Sequence, residues 1–309
     1  MIDGIKATTI IPDIIEWKRS TCIDLMTSVN VDSGEQVRSR SRKYDDGSES
    51  YKYWANYDYY NLEVIESIKD GKLIYRLNLR GSLHKAAMFG SNAKRLTWSL
   101  LQSELTNIEA DLKISLFDWK IKNIEYGVNL VRDQPVLPFL SQSLLMHRRQ
   151  QFGTLNSEKG EAIGFQSMGC QHQLKAYDKA LQLKLPNPLM RIEDRVNRMQ
   201  YLRGHRYMTL ANLQEKSSAY SLKHNLLSTW DDALMIDPII VQKAQGKHQA
   251  RLKEYSNPRF WMMAAALPDR QKKFRYHKEV LKDLQLKYDD CVHKEITEQI
   301  NTEWEQCYN

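Results

Sequence analysis

The sequence predicts an α+β fold, a mostly antiparallel central sheet with flanking helices, followed by a helical C-terminal region. Three observations predict it. Several stretches in the first two-thirds alternate apolar and polar residues with a period of two. A segment near residue 100 carries apolar residues at helical spacing. Beyond about residue 205 the strand patterns stop, and charged, helix-prone sequence takes over.

In KLIYRLNLRG (72–81), Leu73, Tyr75, Leu77 and Leu79 fall on one face and Arg76, Asn78 and Arg80 on the other, as in a half-buried strand. A loop follows, and then a helix from near Thr97, with Leu100, Leu101, Leu105, Ile108 and Leu112 as its apolar stripe. IKNIEYGVNL (121–130) alternates again: Ile124, Tyr126, Val128 and Leu130 oppose Asn123, Glu125, Gly127 and Asn129. Prolines, glycines and polar residues across 131–170 predict long surface loops. QLKAYDKAL places Lys175, Tyr177 and Lys179 on one strand face, with Leu174 and Ala176 behind. LMRIEDRVNR (189–198) groups Arg191, Glu193 and Arg195 against Ile192 and Val196. Thr209 is the expected N-cap of helical packing through Leu210, Leu213, Leu222, Leu226, Leu227 and Trp230. The stretch from 238 onward reads as helices interrupted at Asn257-Pro258 and Leu267-Pro268. These patterns predict an α+β domain over 1–235 and a basic helical region over 236–309.

Composition narrows the functional classes. With 42% hydrophobic and 27% charged residues, the 309-residue chain reads as an ordinary globular protein. No apolar run approaches the roughly 20 residues of a membrane span. The Ile-rich N-terminal stretch is broken by acidic residues and has no small-residue cleavage site, so a cytoplasmic protein is expected. Cys22, Cys170, Cys291 and Cys307 lie far apart with no CxxC, which predicts free thiols. A net charge of +7 and a pI near 9.0 favour a polyanionic partner. The basic residues cluster: 241–288 holds twelve Lys/Arg against four Asp/Glu, and VRSRSRK (37–43) is a second group.

If the alternating strands share a sheet, their apolar faces turn to the core and their polar faces lie together. That collects Arg76, Asn78, Glu125, Lys175, Tyr177, Lys179, Arg191 and Glu193 on one surface. The set suits phosphoryl transfer. A tyrosine oxygen can attack a phosphodiester and store the bond in a covalent intermediate. Paired carboxylates can hold a hard divalent cation, and Lys and Arg can offset charge developing on phosphorus. The alternative reading is structural, because tyrosine is a favoured strand residue and cross-strand acid–base pairs stabilise sheets without chemistry.

"IEYGVNL", "LKAYDK" and "LMRIEDRVNRM", in that order and spacing, resemble the rolling-circle replication initiators of plasmids, phages and other mobile elements. The resemblance is to the single-tyrosine initiator and relaxase group that lacks the His-hydrophobe-His motif, and it covers about residues 70–235. "IDGIKATTIIP" and "LNLRGSLHK" also look like replication proteins of mobile elements. The resemblance implies that Tyr177 attacks the scissile phosphate of origin DNA, leaving a 5′-phosphotyrosyl bond and a free 3′-OH for a host polymerase. It implies that Glu125 and Glu193 bind Mg²⁺ or Mn²⁺, and that Lys175, Lys179 and Arg191 steady the phosphate. His172, near the tyrosine strand, is the candidate third ligand, and His84 stands singly. Tyr201 and Tyr207 are nearby candidates for a second tyrosine. Expected partners are double- and single-stranded origin DNA, host helicase and polymerase, and a second copy of the chain in a homodimer. The alternative is a non-catalytic DNA-binding initiator that recruits host replication proteins. YKYWANYDYY (51–60), with six aromatics in ten residues, reads either as a stacking platform for single-stranded DNA or as a hairpin packing its rings on the core.

Overall fold

The computed structural model describes the chain except residues 30–38, 41–48, 70, 205–207, 267–268 and 309. Most of the basic 37–43 cluster, Tyr207 and the Leu267-Pro268 interruption therefore lie outside the described residues. The fold is α+β, as the alternation predicts. A ten-stranded sheet carries the order β11-β12-β13-β14-β8-β1-β7-β6-β5-β2, and every pairing with a described register is antiparallel. Chain packing defines two compact units. The first comprises Met1–Tyr126, Val196–Ser221 and the C-terminal Tyr308; the second comprises Gly127–Arg195 and Leu222–Cys307.

The first unit opens with β1 (Ile2–Ile11) and α1 (Ile14–Thr21), which Asp13 caps by accepting from the backbone N–H of Ile15 and Glu16. The short strands β2 (Met26–Thr27), β3 (Ser39–Arg40) and β4 (Glu49–Ser50) follow. Then come β5 (Lys52–Tyr57), β6 (Tyr60–Lys69) and β7 (Lys72–Ser82). β7 follows its alternation at Leu77 and Leu79, fully buried between the exposed Arg76 and Arg80, whereas Leu73, expected on the same buried face, is exposed and Tyr75 is half-buried. The helices α2 (Leu83–Ala87) and α3 (Trp98–Leu112) come next, with Thr97 as the α3 N-cap. Leu101, Leu105, Ile108 and Leu112 form the buried stripe of α3, and Leu100, expected on it, is exposed. β8 (Lys120–Val131) leads out of this unit.

In the second unit, the segment expected to be loops folds instead. It forms α4 (Val136–Ser143), β9 (Leu144–His147), β10 (Gln150–Gln151), β11 (Gly153–Asn156) and β12 (Ala162–Met168). β9, β10 and β11, at two to four residues, are too short to show a period, and α4 and the seven-residue β12 carry Pro138 and Gly164, which read as loop signals. β13 (His172–Asp178), α5 (Lys179–Leu183) and β14 (Leu189–Val196) complete the stretch.

Thr209 does not begin a helix. It forms an isolated bridge with Lys120, and its N–H and hydroxyl both donate to Asn212 Oδ1. The helix predicted there, α6, starts at Lys216 and runs to Asp231. One further strand, β15 (Ala233–Met235), pairs with β9, so strands do not end at residue 205. The chain finishes with α7 (Pro238–Lys243), α8 (Gly246–Tyr255), α9 (Pro258–Ala266), α10 (Arg270–Lys287) and α11 (Val292–Glu305). Leu252, Tyr255, Trp261, Phe274 and Leu281 of these helices share one core with Leu145 and Met146 of β9.

Candidate active site

β13 and β14 belong to the second unit, and their period of two assigns side chains to opposite faces. Lys175, Tyr177, Arg191 and Glu193 meet on one of them. Glu193 is the hub. Its Oε1 accepts from Lys175 Nζ at 2.8 Å, and its Oε2 accepts from Arg191 Nε at 2.6 Å and from the Tyr177 hydroxyl at 3.3 Å. Arg191 Nη1 also donates to Asn129 Oδ1 of β8 at 2.9 Å. The cluster is buried: Tyr177 is 5% exposed, Glu193 4% and Arg191 0%. Charges held out of water must be paired and hydrogen-bonded, and these are.

Two glycines let the strands close on this cluster. A Cβ at Gly164, the cross-strand partner of Tyr177, would stand 2.3 Å from Tyr177 Cβ. A Cβ at Gly127 would stand 2.2 Å from the Ile192 carbonyl and 2.6 Å from Glu193 Cα. Gly127 falls on the polar face in the sequence pattern. Gly164 gave no signal, because the stretch around it reads as loop.

Lys179 reaches the tyrosine by a different route from the one expected. β13 ends at Asp178, whose side chain accepts from Leu181 N–H and caps α5, so Lys179 stands on a helix. Asp178 offers the backbone a cap in place of a continued ladder, and that competition wins. Lys179 Nζ nevertheless lies 5.7 Å from the centre of the Tyr177 ring and donates to Gln182 Oε1 at 2.8 Å. The side chain is 2% exposed.

His172 does not join the group. It sits an odd number of residues from Tyr177 and so occupies the opposite face of β13. There its Nδ1 donates to Asp194 Oδ1 at 3.1 Å, and Asp194 Oδ2 accepts from the Thr229 hydroxyl at 3.3 Å. The ring of His172 meets that of His147 edge-on at 5.8 Å, and His147 Nδ1 is hydrogen-bonded to the Ser167 hydroxyl at 2.9 Å. Burial, reinforced by the Arg148 and His172 charges, pushes His147 down to about 4, with Asp232 opposing. This second buried polar cluster was invisible in the sequence, because His147 and Ser167 lie in the segment read as loops.

The remaining expected residues lie in the first unit. Glu125 packs against Gly4, where a Cβ would stand 2.9 Å from Glu125 Oε2. Arg76 is exposed, opposite Ile10 and Ile65, and Asn78 Nδ2 donates to Glu63 Oε2 at 3.0 Å. His84 is buried, with Nε2 2.8 Å from the Lys94 carbonyl. In the aromatic segment, Tyr60 is buried and donates to Glu104 Oε1 at 2.7 Å, whereas Trp54 and Tyr59 are exposed.

The donor set around Glu193 does not fit a divalent cation. Both carboxylate oxygens already accept from cations, and a metal there would be repelled by Lys175 and Arg191. His172 faces the other way, and among the described residues no three His, Cys, Asp or Glu side chains converge as a metal site requires. Cys22, Cys170, Cys291 and Cys307 are free, as expected.

Fold and site together define an α+β protein with a buried phenol hydrogen-bonded to a carboxylate that two cations share. Comparison with family models, with curated proteins and with solved structures gives no match.

Proposed function

We propose that the chain nicks DNA through Tyr177, as an initiator of rolling-circle replication. The single observation carrying this reading is the Tyr177 hydroxyl on the Glu193 carboxylate at 3.3 Å, with Lys175 and Arg191 bound to the same carboxylate. In the proposed step, Tyr177 Oη attacks phosphorus and passes its proton to Glu193. The bond from phosphorus to the 3′-oxygen breaks, and that oxygen leaves as a hydroxyl with a proton from solvent. A 5′-phosphotyrosyl bond remains, and Lys175, Lys179 and Arg191 offset the charge on the transferring phosphoryl group. Because Tyr177 is 5% exposed, the scissile phosphate reaches it only when α5, which carries Lys179 over the ring, moves aside. No step passes through a metal ion.

The burial of Tyr177 favours a second reading, a DNA-binding initiator in which the cluster only holds β13 and β14 together. One experiment separates the two. Supercoiled plasmid bearing the element's own origin is incubated with protein, with Mg²⁺, with Mn²⁺ or with a chelator, and resolved on denaturing gels. The nickase reading expects a covalent protein–DNA adduct that Tyr177→Phe abolishes. Nicking by the Phe variant at the wild-type rate overturns the assignment, and loss of nicking in chelator alone restores a metal elsewhere.

A further inference from the structure

A cavity of about 990 Å³ opens in the second unit, on the His172 side of β13, away from Tyr177. Its floor includes Ser167 and His172; the β9–β10 turn contributes Arg149, and one stripe of α10 forms a wall. Arg275, Lys278 and Lys282 recur along that stripe at helical spacing, so each lies about one 5.4 Å turn from the next. None of these four cations takes part in a described hydrogen bond or ion pair. Two of the four acids that line the cavity are committed. Asp232 accepts from Arg148 at 2.9 Å, and Asp290 accepts from the Asp237 N–H, Gln285 and the Val292 N–H. Asp231 and Glu279 remain. Like charges stacked a turn apart weaken a helix by a few tenths of a kcal/mol per pair, and a bound polyanion removes that repulsion.

We infer that this cavity binds a nucleotide through its phosphates, held by Arg149, Arg275, Lys278 and Lys282. Size and shape decide against duplex DNA. A major groove admits a helix whose outer face is clear, whereas this face of α10 looks across a cavity at the β9–β10 turn and β15. The volume lies at the upper end of small-ligand sites, about 300–1,000 Å³. Phe274 and Leu286 on the same helix add apolar wall for a base. The phosphates belong either to a free nucleoside triphosphate or to a short single strand, and the chemistry of recognition is shared. The inference does not rest on the tyrosine reading, because the cavity lies on the other face of β13.

The test titrates the full chain, by calorimetry at low salt, with ATP in one arm and a six-nucleotide oligothymidylate in the other. Each arm is repeated with the Lys278→Gln/Lys282→Gln double variant and with the Arg double variant at the same positions. Binding in either arm, weakened about tenfold or more by Gln and retained with Arg, supports the site, and the arm that binds names the source. Absence of binding in both arms, or binding that the Gln variant leaves within about twofold, overturns it.

Discussion

At the residue scale, two close approaches and one imidazole carry sharp consequences. Gly164 and Gly127 have no room for a Cβ, because backbone and Tyr177 or Glu193 atoms occupy the space at 2.2–2.6 Å. Gly164→Ala is therefore expected to destabilise by about 1–3 kcal/mol, through overpacking that strand neighbours cannot relieve. Urea denaturation measures it, and a loss under half a kcal/mol would contradict the packing. His147 supplies the second case. Its folded pKa, about 4, lies below its ordinary value of 6.5, so the unfolded chain binds the proton first as pH falls. Stability is full above about 6.5 and is lost progressively toward pH 4, by on the order of 3 kcal/mol. Denaturation at pH 7 and at pH 4 reads the difference, and His147→Gln is expected to shrink it. An anion bound in the adjoining cavity raises the same pKa, which ring-proton NMR would follow.

At the element scale, the five-residue helix α5 carries Lys179, whose Nζ lies 5.7 Å from the centre of the Tyr177 ring, and the proposed reaction takes this helix as the cover. It is too short to be stable alone, so the Asp178 cap is a large part of what holds it. Asp178→Ala is expected to cost about 1 kcal/mol. If α5 is the cover, the same change increases chemical modification of Tyr177; unchanged reactivity would show that something else shields the ring. The alternation of β7 and β8 and the stripe of α3 were legible in the sequence, because a half-buried face repeats over enough residues to be counted. The strands β9, β10, β11 and β15 were not, since two to four residues hold no period. The end of β13 departs from the alternation for a related reason. Lys179 continues the alternation, but a single capping carboxylate overrides it.

At the scale of the molecule, the division at 235/236 predicted from composition meets a core that spans it. Trp261, Phe274 and Leu281 pack in the same cluster as Leu145 and Met146. A chain truncated after residue 235 is expected to expose that apolar surface and to aggregate, which size-exclusion chromatography would reveal. A monodisperse 1–235 fragment would show that the strands carry their own core. No described helix is long and apolar enough to cross a membrane, in keeping with the composition.

Periodicity along the chain was enough to establish the α+β class, the strands bearing Tyr177 and Glu193, and the pairing of Lys175 with Tyr177 on one strand face and of Arg191 with Glu193 on another. Each is a property of neighbours two to four residues apart, which local sterics and burial write directly into residue order. Partnership was decided only by tertiary structure. Strand pairing joined Glu193 to Tyr177, and His172 met Asp194 on the opposite face of β13. The packing of α10 across from the β9–β10 turn enclosed the cationic cavity. Those contacts join residues from 16 to more than 100 positions apart, and side-chain patterns hold no record of which distant segments will meet.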